Sequence, residues 1–125
     1  MDKVLVLLDA NALMIPFQFS VDLEGELARL LGEYEAVVPS SVLKELEGLS
    51  KSGGKAKAAL RLAKRYRSLH VQGAGDDALL AAARKRSAAV LTNDRDLRRR
   101  LREADLPVIF LRGRSRLEAE GIPLR

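Results

Sequence analysis

Apolar residues in this chain fall into short dense runs, separated by stretches in which they recur every three or four positions. Residues 3–8 form a nearly continuous apolar run of the kind buried on both faces of a parallel sheet. In residues 22–31, Leu23, Leu27, Leu30 and Leu31 repeat at helical spacing, and Gly32 closes the pattern. Residues 36–38 predict a second short strand stopped by Pro39, after which Ser40 or Ser41 can cap a helix reaching about Leu49. The polar Ser50-Lys-Ser-Gly-Gly-Lys55 lacks the spacing of a phosphate-binding loop and reads as a turn. Residues 57–68, rich in strong helix formers, predict a helix, and 69–71 a third strand. A helix over 78–86, a strand over 89–92 and a helix over 95–104 follow; Leu106-Pro107 then breaks the pattern before a last strand at 108–111. Nothing in the pattern predicts a helix directly after the first strand.

Strands alternating with helices of about ten residues predict βαβ units. The expected fold is α/β, a three-layer α/β/α domain with a central, mostly parallel sheet of about five strands. At 125 residues the chain reads as a single domain, residues 1–125, with a basic C-terminal tail from about 112 to 125. The apolar Met14-Ile15-Pro16-Phe17 and the leucine-rich helix after Asp22 suit either the core or the interface of a homodimer.

Composition narrows the chemistry. The chain has no cysteine and one histidine, His70, so thiolate sites, cysteine nucleophiles and two-histidine metal sites are excluded. No apolar run approaches the roughly 18 residues of a membrane span, and the short run ending at Asp9 makes a poor signal peptide, so the chain reads as cytoplasmic with no membrane partner. The net charge is +5, from 22 bases and 17 acids. Setting aside Asp9, Glu45, Asp77, Asp94 and Asp96 leaves 12 acids against 22 bases, a basic body around an acidic centre. Basic surfaces attract polyanions, RNA among them.

Those acids share a placement. Asp9 ends the first strand, and Asp94 lies just past the strand over 89–92. Asp76 and Asp77 open the helix after the third strand, and Glu45 sits on the second turn of the helix after the second. In parallel α/β sheets ligands bind beyond the carboxyl ends of the strands, so four connections deliver carboxylates to one rim. Each has a structural alternative: Asp76, Asp77 and Asp94 stand where helix caps are favoured, and Glu45 suits a solvated helix face. Asp9, with no helix predicted after it, is the hardest to read as a cap. A carboxylate cluster without histidine calls for a hard cation, Mg²⁺ or Mn²⁺, and suits metal-assisted phosphodiester hydrolysis.

The motifs Leu-Leu-Asp9-Ala-Asn11, Val-Pro-Ser-Ser-Val-Leu-Lys-Glu45-Leu, Asp76-Asp77-Ala-Leu-Leu and Leu-Thr-Asn-Asp94-Arg-Asp96-Leu, in this order, resemble the PIN-domain ribonucleases from about residue 3 to 116. The resemblance implies an endoribonuclease in which Asp9, Glu45, Asp77 and Asp94 are catalytic and bind one or two Mg²⁺ or Mn²⁺ ions. It makes Asp96 an auxiliary metal ligand, and gives Asn11, Asp76 and Thr92 supporting polar roles. Ala10 departs from the family's common threonine. Arg98, Arg99, Arg112, Arg114 and Arg116 are the candidates for RNA phosphates, and of the consecutive Arg98, Arg99 and Arg100 at least one should face the rim near Asp94. Two branches compete: VapC-type toxins, whose partner is a small antitoxin, and nucleases of rRNA processing, which act on a ribosomal precursor particle. The Asp76-Asp77 pair, the Arg98–Arg100 run and the basic tail lean towards rRNA processing. Two rival readings are a non-catalytic RNA-binding or ribosome-assembly factor, and a phosphatase with Asp9 as nucleophile, for which Asn11 stands where a second Asp is wanted.

Overall fold

The computed structural model describes residues 3–122. The elements run β1 (Val4–Leu8), α1 (Ala10–Gln18), α2 (Leu23–Leu31), β2 (Tyr34–Pro39), α3 (Ser40–Leu49), α4 (Gly54–Ala63), β3 (Arg67–Leu69), α5 (Gly75–Arg86), β4 (Ala89–Leu91), α6 (Arg95–Glu103), β5 (Val108–Arg112) and β6 (Arg116–Glu120). The sheet has six strands in the order β3-β2-β1-β4-β5-β6. All neighbours are parallel except β5 and β6, an antiparallel hairpin. The architecture is the expected α/β/α arrangement, with one strand more than the pattern predicts.

The core follows from the apolar runs. Val6, Leu7 and Leu8 of β1, Val90 and Leu91 of β4, and Val108 and Ile109 of β5 are fully buried. Both faces of these strands are therefore covered, which is why they read as unbroken apolar stretches. Helix α1 packs on α3 and α4, while α5 packs on β1, β4 and α6. Connections from β1 lead outwards to β2 and β3, and the chain then returns to place β4 on the other side of β1. The order reverses at β1, which makes the crevice between the carboxyl ends of β1 and β4 the topological switch point where ligands settle in such sheets.

Three expectations change. Helix α1 follows β1 at once, although Pro16 lies inside it. A proline lacks the N–H that a helix interior needs, but here it falls in the final turns. Helix α4 begins at Gly54 and ends at Ala63, so β3 forms two residues earlier than the pattern suggests. Neither Ser40 nor Ser41 caps α3, whose N-cap is Pro39. The Ser40 hydroxyl instead accepts from Val71 N–H at 3.0 Å, tying the end of β2 to the chain after β3.

The segment expected to be a basic tail holds the end of β5 and the strand β6, and residues 123–125 lie outside the described residues. Gly113, at φ 66°, allows the tight turn between β5 and β6. Helix α2 secures β6: Leu117 N–H donates to Glu26 Oε1 at 2.8 Å, and Arg29 Nη2 donates to the Leu117 carbonyl at 2.9 Å. Glu26 and Arg29 also pair with each other at 2.9 Å. Among the described residues no helix is long and apolar enough to cross a membrane.

Candidate active site

Asp9 sits one residue past β1 and is 6% exposed. Contrary to the sequence expectation it does cap a helix: its Oδ1 accepts from Ala10 N–H at 2.8 Å at the start of α1. The cap occupies one oxygen only. Oδ2 accepts from the Thr92 hydroxyl at 2.8 Å and from Asn11 Nδ2 at 3.2 Å. Thr92, itself fully buried, accepts in turn from Asp94 N–H at 3.1 Å. Asn11 Oδ1 accepts from Asn93 N–H at 2.9 Å, and Asn93 Oδ1 from Leu111 N–H at 3.0 Å. The ends of β1, β4 and β5 are thus stitched together by side chains at one edge. Among the described residues no buried side-chain nitrogen or oxygen lacks a partner.

Asp94 is the N-cap of α6, its Oδ1 accepting from Asp96 N–H at 2.9 Å and Leu97 N–H at 3.3 Å. The cap and the rim position coexist: a residue that ends a parallel strand and starts the next helix stands at the carboxyl edge for the same topological reason.

These acids face a cavity of about 160 Å³ whose lining includes Asp9, Asn11, Glu45, Asp76 and Asp94. The two acids of the adjacent pair face different ways. Asp76 lines the cavity, on the face of α5 that carries buried Leu79 and Ala83. Asp77 lies one residue further, about 100° round the helix. Its side chain is 87% exposed and pairs with Arg100 at 2.5 Å. Asp96 is likewise turned to solvent, 81% exposed with Arg99 at 3.8 Å, and is not part of the cavity wall.

The electrostatics tie the cavity acids to one another. Burial pushes the Asp9 carboxyl above its ordinary value against the Thr92 and Ala10 hydrogen bonds, and the charges of Asp76 and Asp94 push it further. Burial likewise raises Asp76, with Asp94 adding and Arg100 opposing. Glu45 is raised by burial and then by Asp9 and Asp76. Like charges in a half-buried space repel, and the arrangement reflects it: among the described residues no three acids converge tightly enough to form a ready coordination group. The site is a loose ring of carboxylates around open space. Its donors are oxygen only, which suits a hard divalent cation rather than zinc or copper.

The arginines divide into those with carboxylate partners and those without. Arg98 stacks over Phe110, 3.5 Å from the ring centroid, and binds Glu120 at 2.9 Å. Arg112 binds Glu118 at 2.7 Å, and Arg99 bridges Asp96 and Glu103. Arg100 is the member of the α6 run that faces the acids, where the sequence leaves open which of the three does; its spacing from Asp94 puts it almost two helical turns along α6. Arg114 and Arg116 make no ion pair among the described residues. Arg114 lies within the β5–β6 turn and Arg116 directly follows it, at the same sheet edge as Asp9 and Asp94.

The PIN like domain family model matches residues 6–114. Ribonuclease VapC9 of Archaeoglobus fulgidus is 32% identical over 117 residues, covering 90% of this chain and 86% of the relative. Ribonuclease VapC4 of Methanocaldococcus jannaschii is 32% identical over 124 residues, covering 91% of this chain and 95% of the relative. Among solved structures, the PIN domain endonuclease Utp24 superposes with a TM-score of 0.81 at 26% identity, over 94% of this chain and 92% of that one.

Proposed function

The chain belongs to the PIN-like domain family, and on that premise we propose that it is a metal-dependent endoribonuclease cutting RNA at the cavity walled by Asp9, Glu45, Asp76 and Asp94. The observation that carries the reading is the convergence of Asp9, Glu45, Asp76 and Asp94 on one cavity at the switch point of the sheet, and the upward push that burial and like charge give Asp9, Glu45 and Asp76 supports it. A protein that leaves such a ring in place gains by holding a cation there.

The residues divide the work. Asp9, rigid through three hydrogen bonds, is the fixed ligand, and Thr92 and Asn11 keep its Oδ2 oriented. Glu45 and Asp76, each on a helix flanking the cavity, are the adjustable ligands, and Asp94 keeps one oxygen free of its cap. In this assignment the ligand from α5 is Asp76 and not the Asp77 that the sequence resemblance implies. Asp77 positions Arg100, and Asp96 stays outside the ligand set. Bound Mg²⁺ or Mn²⁺ supplies Lewis acidity towards a phosphate oxygen and acidifies a water. Arg100 pairs with Asp77 and feels the charge of Asp76, which ties α6 to α5 beside the cavity.

The comparisons favour RNA as substrate, since both sequence relatives bear the name ribonuclease. Some of the features that tilt the sequence towards rRNA processing are engaged within the chain, Asp77 with Arg100, Arg98 with Glu120 and Arg112 with Glu118, whereas Arg114 and Arg116 make no ion pair among the described residues. With that lean weakened, the 32% identity to two VapC ribonucleases supports a toxin-type nuclease with a small antitoxin as partner. The test is cleavage of structured and unstructured RNA with Mg²⁺ or Mn²⁺ by the wild type, Asp9→Asn and Asp94→Asn. Cutting that survives both substitutions sinks the mechanism.

A further inference from the structure

The β5–β6 turn and the end of α1 enclose an open groove of about 450 Å³ lined by Phe17, Gln18, Phe19, Arg114 and Ser115. Phe17 is one of two large apolar side chains among the described residues that stand exposed, at 39%. The Arg114 guanidinium lies over Phe19, 5.9 Å from the ring centroid. We propose that this groove is a base-binding subsite: an unpaired nucleobase of single-stranded RNA stacks on Phe17 and Phe19 while Arg114 takes an adjoining phosphate. The proposal rests on the ribonuclease reading of the acid cavity and names how the substrate strand is held beside it.

Three observations converge. The first is position: α1 starts at Asp9 and ends beside the groove, so Phe17 stands about 12 Å along the helix from the cavity. The β5–β6 turn shares the carboxyl edge of the sheet with both acids that end strands, Asp9 and Asp94. The second is charge. Arg98, Arg99, Arg100 and Arg112 are each neutralised by a carboxylate, whereas Arg114 has none among the described residues and so keeps its charge for a phosphate. The third is chemistry. Aromatic faces next to an unpaired guanidinium are what a stacked base and its backbone require, and two of the chain's five aromatic residues are gathered here.

Binding is measured with a fluorescently labelled single-stranded RNA of about ten nucleotides in EDTA, so that no cutting intervenes. Phe17→Leu, which keeps an apolar side chain, and Phe17→Ala should each weaken binding about 5- to 100-fold. Arg114→Gln should weaken it and reduce the dependence of log affinity on log salt by about 0.7, one phosphate contact. Replacing one base of the RNA with an abasic ribose should penalise the wild type and not Phe17→Ala. Unchanged affinity in both Phe17 variants overturns the proposal, as does an abasic penalty equal in wild type and variant. A Phe17→Ala that turns a dimer into a monomer with RNA affinity intact also overturns it, assigning the groove to a second copy. Nuclease activity is read separately: a chain that binds RNA through Phe17 yet cuts nothing supports the subsite and refutes the nuclease reading, and a chain that cuts but ignores Phe17 does the reverse.

Discussion

Thr92 Oγ1 donates to Asp9 Oδ2 at 2.8 Å across two neighbouring strands, and the same hydroxyl accepts from Asp94 N–H. One buried hydroxyl thereby fixes the two acids that end β1 and β4. The bond opposes the burial that raises Asp9, so removing it should raise the Asp9 pKa further. Thr92→Val is expected to cost about 1–3 kcal/mol of stability, because two buried polar groups lose a partner. It should also move the acid limb of the pH–rate profile to higher pH, while Thr92→Ser keeps both properties near wild type. Denaturant unfolding and a pH profile of RNA cleavage check the two effects; an acid limb unmoved in Thr92→Val counts against the positioning role.

Asp76 and Asp77 differ by one residue and should differ sharply in consequence. Asp76→Asn is expected to lower cleavage by about 100-fold or more through loss of a ligand charge. Asp77→Asn removes the exposed ion pair with Arg100, which is worth little to stability, and should leave cleavage within about tenfold. Comparable losses in the two variants would return Asp77 to the ligand set.

Cation binding should relieve the repulsion among Asp9, Glu45, Asp76 and Asp94. Saturating Mg²⁺ or Mn²⁺, at about 100 times its dissociation constant, stabilises the folded state by about 2.7 kcal/mol. That corresponds to a melting temperature several degrees higher. Asp9→Asn and Asp94→Asn should lose most of the increase, and EDTA should abolish cleavage. Equal stabilisation of the wild type and both variants would place the ion elsewhere.

Acid stability should have two opposing parts. Glu26 is pulled down to about 2 by the hydrogen bond from Arg29 and then by Leu117 N–H. A depressed acid stabilises the fold above its ordinary value of 4.5, and the contribution fades as pH falls from there to about 2. Asp9, Glu45 and Asp76 are raised, so the sign reverses: without metal they cost stability at neutral pH, and the cost vanishes as pH falls through their raised values towards the ordinary ones. Metal-free protein should therefore be most stable at mildly acidic pH, and Glu26→Gln should flatten the loss between pH 4.5 and 2. Thermal melts across pH, with EDTA throughout, measure both limbs; a monotonic rise in stability up to neutral pH would contradict the raised values.

The parallel sheet, its buried strands and the carboxyl-edge placement of Asp9 and Asp94 were legible because apolar runs and strand order constrain them directly. Helix α1 was hidden by Pro16, whose local signal opposes helix while the surrounding packing on α3 and α4 favours it. Strand β6 was hidden by its alternating charges: Arg116, Glu118 and Glu120 read as a solvated tail, and they become a strand through pairing with β5 and the hold of α2 on Leu117. Choosing between Asp76 and Asp77 required the helix phase, which starts at Gly75, three residues earlier than the apolar pattern suggests.

The grip of Glu26 and Arg29 on Leu117 also bears on how this molecule can meet others. Both outward-facing backbone groups of Leu117 are already satisfied by charged side chains, so a foreign strand seeking to extend the sheet past β6 would first have to evict an ion pair. The opposite margin offers only the three residues of β3 as a template. A partner that works by lengthening the sheet has little to hold, and association is steered towards helical faces and the carboxyl rim.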